Sequence, residues 1–74
     1  MAGLAGYTYQ KITQKLGRLG LKYVRPAKGD HEIWENTNNG NLTTIPHCSG
    51  DMPEGTLKAI LKQAGISKKA FLNA

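Results

Sequence analysis

The chain reads as an α+β domain with the element order α-β-β-β-α and a short C-terminal helix, and three observations predict it. Apolar residues recur at helical spacing near both ends, as Ile12, Leu16 and Leu19 and as Leu57, Ile60, Leu61 and Ala64. Between them lie β-prone runs broken by Pro26, Gly29, Asn39-Gly40 and Pro46. The connections between those runs are short, which makes three strands an antiparallel meander. Each amphipathic helix needs an apolar surface to cover, so helices packed on one face of a three-stranded sheet are expected, with the other face open.

Taken in order, residues 1–7 carry Gly and Ala without a period and are expected as a flexible N-terminal tail, ahead of one domain over residues 8–74. Thr8 can cap a helix over residues 9–19. Lys11, Lys15 and Arg18 lie beside its apolar stripe, so one side is buried and another offers three cations. Gly17 weakens that helix, and Gly20 suits a left-handed C-cap. Residues 21–25 read as a strand closed by Pro26, residues 31–35 as a second strand and residues 42–45 as a third. Asn39-Gly40 is the strongest hairpin signal in the chain. Pro26 and Pro46 are tolerable only at strand ends or on an edge.

After an irregular connection over residues 46–53, a second helix is expected from residue 54 or 55 to residue 63. Pro53 suits its first turn, Glu54 suits the positive end of its dipole, and Gly65 suits its C-cap. Ser67 can cap a last short helix over residues 68–72, with Phe71 and Leu72 sealing the bottom of the core.

A chain of 74 residues buries only about 60% of the surface it exposes when unfolded. Its core is thin, and any chemistry must sit in a shallow groove or on an open face. The longest apolar stretches are a few residues, far below the ~20 that span a membrane. The first six residues lack both the basic start and the apolar block of a secretory signal. Cys48 is the single cysteine and cannot form an internal disulfide, which points to a reducing cytoplasm. The charge is segregated: residues 1–28 carry +6, residues 29–57 carry −5 and residues 58–74 carry +4. That pattern fits either a polyanionic partner, nucleic acid or acidic protein, or a solubilising surface.

The motifs remove most enzyme classes. His31, His47 and Cys48 are the only soft ligands, and adjacent His47-Cys48 is poor geometry for chelation, so no metal site or cofactor is expected. No phosphate loop or dinucleotide fingerprint occurs. Paired carboxylates for glycosidic chemistry would need a cleft this core is too small to build. RNA cleavage passes the filter, because the 2′-hydroxyl of RNA is an internal nucleophile beside the scissile phosphate. A positioned histidine can take its proton or protonate the leaving oxygen, and nearby cations can stabilise the phosphate. His31, directly after the Gly29 turn and opening a strand, is the candidate. On residues alone, a lone histidine at a strand edge is far more often a surface residue than a catalytic one.

The segments Gly20-Leu21-Lys22-Tyr23-Val24-Arg25, Lys28-Gly29-Asp30-His31, Thr44-Ile45-Pro46-His47 and Gly55-Thr56-Leu57-Lys58-Ala59-Ile60-Leu61-Lys62-Gln63-Ala64-Gly65-Ile66-Ser67 together resemble the HicA toxin family. The likeness runs from the first helix to Phe71, and the last segment is its most specific part. It implies a double-stranded-RNA-binding-domain-like α-β-β-β-α fold and an mRNA-cleaving toxin of a bacterial toxin–antitoxin pair, silenced by a HicB-like antitoxin. The family's catalytic histidine sits in a Gly-Ser-His motif, and His31 holds the matching position. Here Asp30 stands where the family has Ser. A carboxylate brought close to the ring would favour the imidazolium, aiding a general acid and hindering a general base. The division of acid and base roles is therefore open.

The resulting expectation is a cytoplasmic, metal-independent mRNA endoribonuclease without a small-molecule cofactor. His31 transfers the proton, and Lys22, Arg25, Lys28, Lys58 and Lys62 are candidate phosphate contacts. His47 is either structural or a substrate contact. Two alternatives stand beside it: a non-catalytic RNA-binding module of the same fold, and a chain that serves mainly to dock its antitoxin.

Overall fold

The computed structural model describes residues 3–74. Thr8 begins the first helix: its side-chain oxygen accepts from the Lys11 N–H at 3.2 Å, satisfying one of the amides that a helix start leaves bare. α1 runs Tyr9–Arg18 with Ile12 and Leu16 buried. β1 (Leu21–Pro26), β2 (His31–Asn36) and β3 (Leu42–Pro46) follow, paired antiparallel in the order β1-β2-β3. Pro26 and Pro46 each close a strand, where the missing N–H costs no ladder bond. α2 (Glu54–Ala64) ends on Gly65, whose φ of 72° is the left-handed cap expected of it. Ser67 accepts from the Ala70 N–H at 3.1 Å and caps α3 (Lys68–Leu72). The α+β class, with a three-stranded antiparallel sheet and helices, is as the sequence predicts.

The register decides which residues meet the helices. Asn36 stands opposite Leu21, Trp34 opposite Tyr23 and Thr43, and Glu32 opposite Ile45, all on the side covered by α1 and α2. The Thr43 hydroxyl donates to the Ile60 carbonyl, and buried Asn36 donates through Nδ2 to the Ala64 carbonyl at 2.9 Å. The other face carries Lys22 opposite Glu35, Arg25 opposite Ile33, and His31 opposite Pro46. It is open: Leu42 and Val24 there keep 56% and 47% of their surface exposed. The core between sheet and helices gathers Ile12, Leu16, Ile45, Leu57, Ile60 and Phe71, all at most 2% exposed.

Both sheet edges are modified. On β1 the register slips between Tyr23 and Arg25, leaving Val24 without a partner. Without that bulge, alternation would send Arg25 to the same side as Tyr23; with it, Arg25 joins Lys22 on the open face. On β3, the Gln63 Oε1 accepts from the Thr44 N–H at 3.2 Å and, at 2.9 Å, shares the single Thr43 hydroxyl hydrogen with the Ile60 carbonyl, covering part of the outer edge.

The N-terminal segment is tied to the domain at two residues. Met1 and Ala2 lie outside the described residues; Leu4 and Tyr7 are packed, with Ala5 and Gly6 exposed between them. Leu4 is 6% exposed within the core, the Tyr7 and Phe71 rings meet edge to face at 5.1 Å, and the Tyr7 carbonyl accepts from the Met52 N–H at 2.8 Å. Burying a leucine contributes about 1.5–3 kcal/mol, enough to offset the ordering of a residue or two. Lys15 leaves the expected wet row of α1. Its Nζ sits 5.3 Å from the centre of the Phe71 ring and donates to the Ala74 carbonyl at 3.0 Å.

Candidate active site

The turn between β1 and β2 builds the site. The Ala27 N–H donates to the His31 carbonyl at 2.8 Å, which closes the turn, and Gly29 passes through it at φ 68°. That left-handed conformation is free for glycine and strained for other residues. It brings the Lys28 carbonyl back over the start of β2, where it lies 3.2 Å from His31 Nδ1. A carbonyl oxygen only accepts, so Nδ1 carries the hydrogen of that bond. Nε2 is then the ring nitrogen left for other partners, and the ring is held at one end by backbone.

The His31 side chain is exposed, at the side of an open hollow of about 630 Å³ between the 27–31 turn and the segment from Thr44 to Cys48. Lys28, Asp30 and His47 also line it. Asp30 contributes a carbonyl to the structure, accepting from the His47 N–H at 2.7 Å and so joining the two sides of the hollow. The His31 hydrogen bond is made to the Lys28 carbonyl and not to the Asp30 carboxylate. Cys48 is partly buried against the core.

His47 is anchored from below. Its ring and that of Tyr9 meet edge to face, 4.2 Å between centres. The Tyr9 hydroxyl donates to Glu32 Oε1 at 2.5 Å, and Trp34 Nε1 donates to the same oxygen at 3.0 Å. Burial, then the hydrogen bond to Glu32 and the charges of Glu32 and Tyr23, push the Tyr9 hydroxyl up to about 12, so it stays a neutral donor at ordinary pH. This seam ties the first turn of α1 to β2 under one wall of the hollow. Sequence reasoning missed it. The one local signal was the placing of Glu32 and Trp34 two residues apart, on one face of a strand; Tyr9 is 23 residues away.

The candidate cations fall into two sets. Lys28 lines the hollow beside His31, and Lys22 and Arg25 share its sheet face. Lys58 and Lys62 project from α2, which packs on the opposite face, and line a different hollow with no residue in common with the first. Among the described residues, no three His, Cys, Asp or Glu side chains gather as a group that could hold a metal ion. No helix among them is long and apolar enough to cross a membrane.

A search of curated proteins finds no match. Residues 9–66, which include the whole sheet, both walls of the hollow and α2, match a family model described as the HicA toxin of bacterial toxin–antitoxin systems.

Proposed function

The chain belongs to the HicA toxin family, and from that premise we propose that it is an mRNA endoribonuclease in which His31 transfers the proton. The observation that carries this reading is the state of the His31 ring, with Nδ1 bonded to the Lys28 carbonyl and the exposed side chain set beside an open hollow. In the neutral ring, Nε2 holds the lone pair and can accept the proton of an RNA 2′-hydroxyl. The freed oxygen attacks the adjacent phosphorus, and the bond from phosphorus to the 5′-oxygen breaks. The leaving oxygen takes a proton from water or from the imidazolium so formed. The Lys28 carbonyl serves both states of the ring, because Nδ1 keeps its hydrogen throughout. A histidine held so contributes about 10²–10⁴-fold.

Lys28, beside His31, stabilises charge on the phosphate as it builds up. Lys22 and Arg25 receive neighbouring phosphates along the open sheet face. His47, held by Tyr9, is a wall of the hollow and a substrate contact. The step needs no metal and no cofactor. The protein acts in the cytoplasm, where mRNA is, and a HicB-like antitoxin neutralises it by covering this face.

Purified protein incubated with single-stranded RNA in excess chelator tests the proposal. Cleavage is expected, with loss on His31→Ala. Cleavage unchanged by that substitution would remove His31 from the mechanism, and tight binding without cleavage would mark an RNA-binding module instead.

A further inference from the structure

The helix layer carries a second hollow of about 300 Å³, between α2, the start of α3 and the N-terminal segment. Its floor is apolar: Leu4 and Leu61 are 6% and 3% exposed, and Ile66 is half-buried. Its rim is cationic, with Lys58 and Lys62 one turn apart on α2 and Lys68 at the first position of α3. All three lysines are exposed. No acidic residue lines the hollow, the five acids of the chain lying within residues 29–57.

That arrangement is costly within the chain alone. Like charges one helical turn apart repel, and three cations with no acidic neighbour surround an apolar floor. A nucleic acid backbone would satisfy the lysines but make no use of the floor, and no aromatic ring is present there on which a base could stack. An apolar anchor inside a charged rim is instead the usual anatomy of a small protein-binding site. We propose that this hollow docks an acidic segment of a partner protein. One apolar side chain of that segment enters between Leu4, Leu61 and Ile66, and flanking carboxylates pair with Lys58, Lys62 and Lys68. The assignment takes Lys58 and Lys62 out of the RNA-contact set, and it holds whether or not His31 is catalytic.

The test uses the isotope-labelled full chain titrated, with NMR detection, by three probes: a blocked Glu-Glu-Leu-Glu-Glu peptide, its Leu-to-Ser counterpart, and a single-stranded oligouridylate of the same charge. Amide shifts are expected at Leu4, Leu61 and Ile66 with the leucine peptide. Affinity should fall about tenfold, a loss of about 1.4 kcal/mol, for the serine peptide. The Lys58→Glu/Lys62→Glu variant should abolish the shifts, and the milder Lys58→Gln/Lys62→Gln variant should weaken binding while keeping the spectrum of the folded chain. Equal binding of the two peptides, shifts confined to the His31 hollow, or oligouridylate shifts at Leu61 and Ile66 would each overturn the proposal.

Discussion

The two ends of the sheet use the same kinds of residue to opposite effect. At one end, the β2–β3 turn spends its polar side chains on the helices. Asn36 and Asn39 both donate to the Ala64 carbonyl, Asn38 donates to the Leu19 carbonyl, and Thr37 donates to the Gly20 carbonyl at 2.7 Å. Three carbonyls at or just past the ends of α1 and α2 are thereby satisfied from a single turn. At the other end, the turn from Lys28 to His31 bonds mainly through backbone; its one side-chain bond holds the His31 ring by Nδ1, and the rest of that exposed side chain faces the hollow. One end stabilises the fold, and the other keeps its chemistry available. A chain with so thin a core gains from separating the two, because a change at one end need not disturb the other.

The contrast can be broken in order of expected effect. His31→Ala should lower RNA cleavage by about 10²–10⁴-fold while the thermal midpoint hardly moves, since the side chain is exposed. A large fall in the midpoint would show that the open end is structural after all. Asn36→Ala should do the reverse: about 1–2 kcal/mol lost in denaturant unfolding from a buried hydrogen-bonded amide, with cleavage per folded molecule unchanged. Gly65→Ala tests the same end more gently. A Cβ there would lie 2.8 Å from Asn39 Nδ2, and the left-handed backbone adds about 1 kcal/mol, so unfolding should shift modestly.

The smallest effect sharpens the comparison at high pH. The Tyr9 hydroxyl stands at about 12 against an ordinary 10.0, so the fold prefers its neutral form. Its contribution to stability is complete below pH 10 and is lost as pH rises from there towards 12. Tyr9→Phe should therefore flatten this part of the alkaline unfolding profile relative to wild type. Profiles of equal slope would show that the burial of Tyr9 and its bond to Glu32 add nothing to the stability of the site wall.

The elements themselves were legible because their signals are local. Thr8, Ser67 and Gly65 cap as their residue types require, and the strands match to within a residue or so at their ends. His31 was legible as a position, after a glycine turn and at a strand start, though the bond from Nδ1 to Lys28 needed the turn itself. What escaped was set by distant pairing. Leu4 and Tyr7 looked loose because nothing nearby announces Phe71. The side on which Arg25 emerges depends on a bulge, which an alternating pattern cannot reveal. Lys15 reads as a wet cation until the end of α3 folds over it. Lys58 and Lys62 resemble the other cations in sequence, and only the layer order puts them on a different face from His31.

The treatment of the sheet edges has a consequence for assembly. An edge strand with bare amides is a template on which another chain can lay a strand. Here β1 is kinked at Val24 and ends in Pro26, and Gln63 occupies the Thr44 amide of β3. Both borders are poor templates, which guards a small, marginal chain against edge-to-edge aggregation. It also means that a protein binding this one must recognise its faces and hollows through side chains, because extending the sheet would first require prising Gln63 away or straightening the bulge.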